Sequence, residues 1–414
     1  MYICNVKLGC LFFLFLLAST CYAAEESDSL AFDRKKLLRT VKAYAKEDNY
    51  SKVDESLRQA FTTYPEACAD ARLVRMEMDA QWQLSLAENK KIFLNSKPDT
   101  AAYFACLLAT AQYALRLDSL DNLPDDKGRV KPQYHKETGE RLRACRRKMP
   151  SAGRYYYKQG DYATAWTHLD LYLLTRHNPL VSEEKEEEDP APDSIALARL
   201  ATVSAFSAGK YAESLRYVEM AEQDTAVLCQ LLEMQARAHE QLGQGEARLQ
   251  AVRRGHERFP AHDYFALALI HHYDSAACYP QALDVIERTL AAGGDKRQYA
   301  FVGGRIYEAT GALDSAALSY QEAIEGAPED ALARSAAGML ALRRATLLRE
   351  TLTPIQLSAQ DVKDQLADYY TQAAQQLEKA RELAPTQSEL WRDGLREAYF
   401  RLNRGADLQA LETP

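Results

Sequence analysis

The stretch Tyr156-Tyr-Lys-Gln-Gly-Asp-Tyr-Ala-Thr-Ala165 contains the kind of turn that decides the fold of this chain. Its glycine, Gly160, is the first member of a series that continues with Gly209, Gly243, Ala277 and Gly311. From Gly209 onward the spacing is 34 residues each time, and the first interval of 49 residues is one such period plus a 15-residue insertion. A fixed period of this length indicates a stack of similar supersecondary units, because one unit alone cannot bury its apolar face.

Other columns keep the same register on both sides of the turn. Small residues recur five and twelve positions after it; these columns read Ala165, Ser214, Arg248, Ala282 and Ala316, and then Tyr172, Ala221, Gly255, Thr289 and Ala323. Seven positions before the turn stand Gly153, Thr202, Ala236, Ile270 and Gly304. Small residues on facing sides allow two helix axes to approach closely, and glycine lets the chain leave a helix in a tight turn. Pro260 and Pro328, each seventeen residues after a turn, end the second helix. The columns therefore predict antiparallel helix pairs.

These residues resemble the tetratricopeptide repeat (TPR) family, most clearly at 156–165 and from Gly304-Arg-Ile-Tyr307 to Pro328. The same columns are matched near the amino end by Tyr44, Tyr50, Leu57, Ala60 and Pro65, and near the carboxyl end by Tyr370, Ala373, Leu377, Ala380 and Pro385. Near the amino end Asp48 takes the place of the usual glycine. The resemblance covers most of the chain from about residue 31. It implies an all-α solenoid, a right-handed superhelix of about nine antiparallel helix pairs, with no catalytic residues.

The predicted organisation follows from how well each region fits the columns. The predicted parts are a signal peptide at 1–23, helical repeats at 31–150 with a loop insertion at 119–134, a clear array at 151–330 with an acidic loop at 178–193, and a carboxyl-terminal part at 331–414 with an insertion at 351–360 and a capping helix at 387–403. Residues 66–150 keep the helical pattern but fit the columns poorly. The acidic loop, with its run Glu183-Glu-Lys-Glu-Glu-Glu-Asp189, is expected to be solvated.

Composition excludes a polytopic membrane protein, a collagen-like chain and an intrinsically disordered chain. The 414 residues are 47% hydrophobic and 27% charged, values of an ordinary globular chain. With only 18 Gly and 14 Pro, the chain favours helices. A formal net charge of −8 gives no general attraction to phosphate backbones, so we expect no nucleic-acid partner.

The first 24 residues have the pattern of a signal peptide. One cation, Lys7, precedes the apolar run 11–18, and small residues lead to Ala23 and Ala24. The run is too short to span a bilayer unaided, and no later stretch is long enough, so no transmembrane helix is expected. Cleavage after Ala23 is the main interpretation. Lipid attachment at Cys21 and a retained anchor are the alternatives. In each case we expect an exported protein, periplasmic or associated with the outer membrane.

Five cysteines follow the leader, at scattered positions without a CxxC spacing: Cys68, Cys106, Cys145, Cys229 and Cys278. We interpret them as small hydrophobic fillers, and their number and spacing leave open whether two of them form a disulfide.

Candidate chemistry is sparse in this sequence. His271, His272 and Asp274, with His262 and Asp263 upstream, have metal-binding residue types, but adjacent helical histidines diverge by about 100° and rarely reach one metal. Neither a nucleotide-binding nor a hydrolase motif is present. We therefore predict no metal, no cofactor and no catalytic residue.

The resemblance implies that the inner face of the first helices lines a concave groove. Six residues before the turns stand Arg154, Val203, Arg237, His271 and Arg305. Three residues before the turns stand Tyr157, Phe206, Glu240, Asp274 and Glu308. One interpretation is a set of surface ion pairs, Arg237 with Glu240 and Arg305 with Glu308. The other is a binding surface for a segment of a protein partner, with Arg154, Tyr157, Phe206, Arg237, Tyr264, His271, Phe301 and Arg305 as its residues.

Three functions remain open at this point. The first is a non-enzymatic scaffold of the cell envelope that binds a protein or peptide partner in the groove. The second is a glycan-capture or outer-membrane assembly lipoprotein, although the three tryptophans, Trp82, Trp166 and Trp391, are dispersed. The third is an enzyme or its dedicated subunit. The lysine clamp by which some family members hold terminal carboxylates is not matched, because Arg199, Glu233 and Leu267 occupy that column.

Overall fold

A computed structural model describes residues 32–125, 127–182 and 194–412. Within these ranges the chain is helical with connecting turns and contains no β-strand, which confirms the all-α prediction. No helix in these ranges is long and apolar enough to cross a membrane. The residues form two compact units, Met1–Pro192 and Asp193–Pro414. The predicted signal peptide, and residues 183–193 of the predicted acidic loop, lie outside the described residues.

In the first unit, three antiparallel helix pairs are formed by α1 with α2, α3 with α4, and α6 with α7, while α5 packs on α4 and on the short α8. The helices are α1 (Arg34–Lys46), α2 (Tyr50–Thr63), α3 (Ala71–Phe93), α4 (Thr100–Asp121), α5 (His135–Arg146), α6 (Met149–Lys158), α7 (Tyr162–Leu174) and α8 (Pro179–Ser182). Helices α3 and α4 contain 23 and 22 residues. This pair exceeds a 34-residue period, which explains why residues 66–150 fit the columns poorly. The predicted insertion at 119–134 begins later than expected, since α4 continues to Asp121.

The second unit adds six pairs, which brings the number of pairs among the described residues to nine. They are α9 (Ser194–Ser207) with α10 (Tyr211–Ser214) and α11 (Val218–Ala221), α12 (Leu228–Gln241) with α13 (Gly245–Arg258), α14 (Asp263–Ser275) with α15 (Tyr279–Ala291), α16 (Lys296–Thr310) with α17 (Leu313–Gly326), α18 (Ala331–Thr351) with α20 (Gln360–Leu383), and α21 (Arg392–Arg401) with α22 (Gly405–Glu412). In the pair of α9 with α10 and α11, the second helix is interrupted at residues 215–217, which separate α10 from α11. The columns did not predict this interruption.

The turn between the two helices of a pair has one backbone geometry in every described pair except α18 with α20, which are joined by residues 352–359. Its central residue has a positive φ of 76° at Gly160 and 79° at Gly311, and Ala277 adopts the same left-handed region with φ 54°. The next residue donates its N–H to the carbonyl oxygen four positions before the centre, as Ala312 does to Tyr307 at 2.9 Å. This hydrogen bond satisfies a carbonyl at the helix end, and glycine suits the centre because it lacks a Cβ. The predicted turn column is therefore confirmed.

The column seven positions before the turn marks the closest contacts between paired helices. A Cβ built on Gly304 of α16 lies 2.6 Å from the ring of Tyr320 on α17. Gly338 of α18, one period after Gly304, lies equally close to Leu377 of α20, with 2.6 Å between the ideal Cβ and Cγ. Both glycines are therefore required by the approach of two helices, and the 34-residue register continues into α18.

The carboxyl-terminal part differs from the prediction in one detail. The helix expected at 387–403 is present as α21, but a left-handed turn at Asn403, with φ 56°, leads into the further helix α22. Leu411 of α22 is buried in the same apolar cluster as Trp391. Residues 387–412 thus form a helix pair of their own. The insertion at 351–360 contains the one-turn helix α19 (Pro354–Leu357), which begins with a capping box between Thr353 and Gln356.

Candidate partner-binding surface

Four exposed side chains lie at 34-residue intervals on successive first helices of the second unit. They are Arg237 on α12, His271 on α14, Arg305 on α16 and Met339 on α18, and we call them the exposed column. Met339, with 46% of its surface exposed, was not predicted as a member. Its signal in the sequence is the neighbouring Gly338, which stands one period after Gly304.

The pairing predicted for Arg237 with Glu240 is wrong. Arg237 Nη2 lies 2.5 Å from Glu233 Oε1, one turn earlier on the same helix. Its guanidinium also lies over the ring of Tyr264, 5.0 Å from the ring centre, and the ring belongs to the next first helix, α14. Glu240 instead lies 3.3 Å from Arg248 Nε on α13. The aromatic ring holds the guanidinium on the Glu233 side of the helix, which places Arg237 and Tyr264 in one cluster.

The hydroxyl of Tyr264 in this cluster is buried without a hydrogen-bond partner among the described residues. Burial raises the pKa of Tyr264 above its ordinary value, so the hydroxyl stays protonated at neutral pH. Buried polar groups without partners are uncommon, and each such group has hydrogen-bonding capacity that the chain itself does not use. The Tyr264 hydroxyl at the α12–α14 junction is therefore an unsatisfied polar group within the described residues.

The pairing predicted for Arg305 with Glu308 is also wrong. Glu308 accepts a hydrogen bond from the Tyr320 hydroxyl at 3.0 Å and another from Arg343 Nη1 at 3.0 Å. These two groups engage both carboxylate oxygens of Glu308, and no ion pair between Glu308 and Arg305 is present within the described residues. Within the described residues, Arg305 has no ion pair, and its side chain is exposed. Phe301 lies one turn before Arg305 on α16, and its ring centre is 5.8 Å from that of Tyr320.

Tyr157 and Phe206 make the same contact in two different pairs. Tyr157 meets Tyr162 edge-on with ring centres 5.4 Å apart, and Phe206 meets Tyr211 at 5.5 Å. Each contact joins the end of a first helix to the start of its second helix, so part of each aromatic surface is used inside the pair. Arg154 is exposed, and among the described residues it has no ion pair. Arg154 and Tyr157 belong to the first unit, whereas the other six predicted residues belong to the second.

His271 is exposed on the column, and its neighbour His272 packs edge-on against Tyr273 with ring centres 5.3 Å apart. Among the described residues, no group of three or more His, Cys, Asp or Glu side chains could hold a metal ion.

All five cysteines after the leader are free thiols in the structure. Burial raises the pKa of Cys145 to about 12 and that of Cys106 to about 11. These two side chains remain thiols at neutral pH and pack as small apolar groups, in agreement with their interpretation as fillers.

A buried acidic cluster in the first unit was missed by the sequence analysis. The amide nitrogen Nε2 of Gln81 donates to Asp54 Oδ1 at 2.7 Å and to Glu77 Oε1 at 2.8 Å, and Arg58 Nε donates to Asp54 at 2.7 Å. Glu77 is completely buried, and its second oxygen has no partner among the described residues. Burial, followed by the contact with Asp54, raises the pKa of Glu77 well above its usual range. The signal was available, because Glu77 and Gln81 are four residues apart on α3 and interrupt its apolar face.

Comparison of the chain with protein-family models and with curated proteins finds no match. Among solved structures, the chain is similar to the C-terminal part of a TPR repeat-containing protein from Cytophaga hutchinsonii, at 14% identity over 63% of this chain and 91% of that chain, with a TM-score of 0.42. A TPR repeats protein from Bacteroides fragilis is similar at 14% identity over 62% and 98% of the two chains, with a TM-score of 0.29. The TPR domain of P58(IPK) is similar at 13% identity over 90% and 98%, with a TM-score of 0.29.

The repeated turns, the 34-residue spacing and the glycine contacts are all properties of this chain itself. The chain has the tetratricopeptide-repeat fold. In this TPR array the sequence-predicted residues Arg237 and Tyr264 meet in one cluster, and His271 and Arg305 continue the exposed column. The fold supplies the scaffold, and these side chains have to supply any recognition.

Proposed function

We propose that this chain is a non-catalytic binding scaffold, and that a segment of a protein partner lies along the exposed column of the second unit. The observation that carries the proposal is the spacing of Arg237, His271, Arg305 and Met339, which are all exposed at one 34-residue interval. A surface that only faced water would have no need to keep large hydrogen-bonding and apolar side chains in one register. Arginine and large apolar residues are the types that contribute most in protein interfaces.

The column also defines the chemistry of a suitable partner. Arg305 has no ion pair in the part of the chain that the structure describes, and its guanidinium is suited to a carboxylate, which it can hold through two parallel hydrogen bonds. Phe301, one turn before Arg305 on α16, and Met339, on α18, offer apolar contact. Packed helices lie roughly 10 Å apart, and an extended chain advances about 3.3 Å per residue, so about three partner residues correspond to one helix pair. We therefore favour an extended segment with an acidic side chain about three residues from an apolar one.

The experiment begins with a photo-crosslinking amino acid in place of His271 and uses extracts of the cell envelope to capture the partner. The same group in place of Leu318, an exposed residue on the second helix α17, is the control. Capture from the His271 position alone supports the column, whereas capture from the Leu318 position alone contradicts it.

Affinity for the captured partner then tests the role of the arginine. We expect Arg305→Ala to weaken binding by about tenfold or more, equivalent to about 1.4 kcal/mol, with little change in stability. Arg253 is the matched control because it is an exposed arginine of the second helix α13 that, within the described residues, has no ion pair. Arg253→Ala should leave the affinity unchanged. Equal effects of the two substitutions would place the binding surface elsewhere.

We further propose that the protein is exported to the cell envelope, on the basis of the leader pattern at residues 1–23. The amino-terminal sequence of the protein from the envelope fraction tests this. A chain that starts at Ala24 supports cleavage, one that starts at a lipid-modified Cys21 supports the lipoprotein alternative, and an intact Met1 argues for a retained leader.

The glycan-capture alternative receives less support from the structure. Trp166 and Trp391 are buried, and Trp82 has the guanidinium of Arg141 over its ring at 4.8 Å. These tryptophans serve packing contacts and offer no open aromatic platform for a sugar.

A further inference from the structure

The tip of the α3–α4 hairpin combines exposed apolar side chains with lysines. The segment Asn89-Lys-Lys-Ile-Phe-Leu-Asn-Ser-Lys-Pro98, which we call the basic tip, contains three lysines and no acidic residue. Phe93 and Leu94 are adjacent in it, with 82% and 64% of their surfaces exposed. Large apolar side chains are seldom this exposed next to one another unless they meet another surface.

Backbone hydrogen bonds define the end of the helix at these two residues. Helix α3 ends at Phe93, Leu94 N–H donates to the Lys90 carbonyl at 3.2 Å, and Ser96 N–H donates to the Lys91 carbonyl at 2.9 Å. Asn95 between them has a positive φ of 58°, which is the geometry of a regular helix terminus. The apolar pair thus extends a rigid helix end.

The two acidic residues next to the basic tip are engaged at its base. Glu88 accepts hydrogen bonds from the Asp99 N–H at 2.9 Å and from Lys91 Nζ at 2.6 Å, while Asp99 caps α4 by accepting from the Ala102 N–H at 2.9 Å. Lys90 and Lys97 are exposed and have no ion pair among the described residues. The outer part of the tip is therefore cationic, although the whole chain is acidic.

The tip also extends beyond the preceding helix pair. Gln81 on α3 is level with Asp54 on α2, because the two side chains are hydrogen-bonded. From there α3 continues for twelve residues to Phe93, about 18 Å, whereas α2 continues back only to Tyr50, about 6 Å. The basic tip consequently lies roughly 12 Å further along the helix direction than the start of α2.

We propose that the basic tip docks on an anionic lipid surface, with Phe93 and Leu94 entering the headgroup region and the lysines facing the lipid phosphates. A protruding pair of apolar residues suits a surface that yields around it, whereas a protein partner would have to present a pocket to this convex shape. Shallow apolar insertion gives only marginal membrane binding by itself, and clustered cations supply the second contribution. This inference concerns the first unit and is independent of the proposed function of the exposed column.

Vesicle flotation with the full chain tests the proposal. All proteins carry Cys21→Ser, so that a lipid attached at this position cannot produce binding by itself. We expect binding to phosphatidylcholine vesicles that contain phosphatidylglycerol and little binding to phosphatidylcholine alone. The double variant Phe93→Ser/Leu94→Ser should bind the anionic vesicles about tenfold more weakly or worse, and Lys90→Gln/Lys97→Gln should show a similar loss that matches the effect of added salt.

The matched control is Ile355→Ser/Leu318→Ser. Ile355 and Leu318 are 83% and 66% exposed, close to the values of Phe93 and Leu94, and neither has a neighbouring lysine in the sequence. This variant should float like the parent protein. Equal binding to both kinds of vesicle, an equal loss in the control, or no binding by the parent would each overturn the proposal. Loss of a protein partner in the tip variants without any vesicle binding would assign the tip to a protein interface instead.

Discussion

Two adjacent glycines in α16 provide a sharp test of the helix contact on which the repeat depends. Gly303 and Gly304 are both buried in the interior of the same helix. A Cβ on Gly303 would meet only Ile286 Cδ1, at 4.0 Å, which is ordinary contact distance, whereas a Cβ on Gly304 would lie 2.6 Å from the Tyr320 ring. The pair therefore separates the intrinsic effect of alanine in a helix from the effect of crowding.

The expected magnitudes follow from this difference. Alanine is favoured over glycine in a helix interior by about 1 kcal/mol, so Gly303→Ala should raise the free energy of unfolding by about that amount. Gly304→Ala gains the same term but forces Tyr320 away from α16, and crowding of this kind costs about 1–3 kcal/mol. The propensity term cancels when the two variants are compared. We expect Gly304→Ala to be less stable than Gly303→Ala by about 1–3 kcal/mol, and Gly304→Leu to be less stable still.

Urea unfolding followed by far-ultraviolet circular dichroism measures both variants under the same conditions. A double-mutant cycle with Tyr320→Ala identifies the ring as the cause, because removal of the ring should remove most of the penalty of Gly304→Ala. The reasoning is refuted if the two alanine variants are equally stable, or if the penalty persists in the Tyr320→Ala background. Either outcome would mean that α16 and α17 do not approach each other at Gly304.

Three further predictions concern a turn, a buried acid and the cysteines. Ala277→Gly should raise the free energy of unfolding by roughly 0.5–1 kcal/mol, because φ 54° is strained for a residue with a Cβ, while Ala276→Gly, at an ordinary φ of −90°, should lower it, as urea unfolding would show. For Glu77, whose folded-state pKa of about 8 exceeds the ordinary 4.5, the folded state binds more protons, so stability should fall as pH rises between these values; Glu77→Gln should remove this part of the pH dependence of unfolding, and an unchanged profile would contradict a buried protonated acid. Alkylation of the native protein, followed by mass spectrometry, should modify Cys145 more slowly than Cys278, since Cys145 is buried and its pKa is raised to about 12, and equal rates would contradict the packing of α5.

The repeat was predictable from the sequence because its determinants are local. A residue at the centre of a tight turn must adopt a positive φ, which selects glycine, and this requirement recurs at a fixed spacing from Gly209 to Gly311. Gly304 was predictable for a related reason, since a close approach between paired helices leaves no room for a side chain. The turns and the antiparallel pairing of the helices followed from these two constraints.

The second helix pair of the first unit shows where the same reasoning stops. Helices α3 and α4 keep the helical pattern but are too long for the 34-residue period, so the columns could not align their residues with those of their neighbours. The buried cluster of Asp54, Glu77 and Gln81 depends on that alignment, because Asp54 and Gln81 are 27 residues apart in the chain. A register between two helices that local rules leave undetermined is set by their side-chain packing.

Where the 34-residue period is kept, the amino-acid sequence by itself determined where the helix pairs turn and which residues occupy equivalent positions, because both depend on neighbours within one turn or one period. The tertiary structure alone decided the partners of the charged side chains. Arg237 and Arg305 hold equivalent positions, yet Arg237 pairs with Glu233 and lies over a ring from α14, while Arg305 has no ion pair within the described residues and Glu308 is engaged by Arg343 of α18 and Tyr320. The choice among several acids within reach of a long, flexible side chain is made by the neighbouring helix pair, whose side chains differ from one repeat to the next.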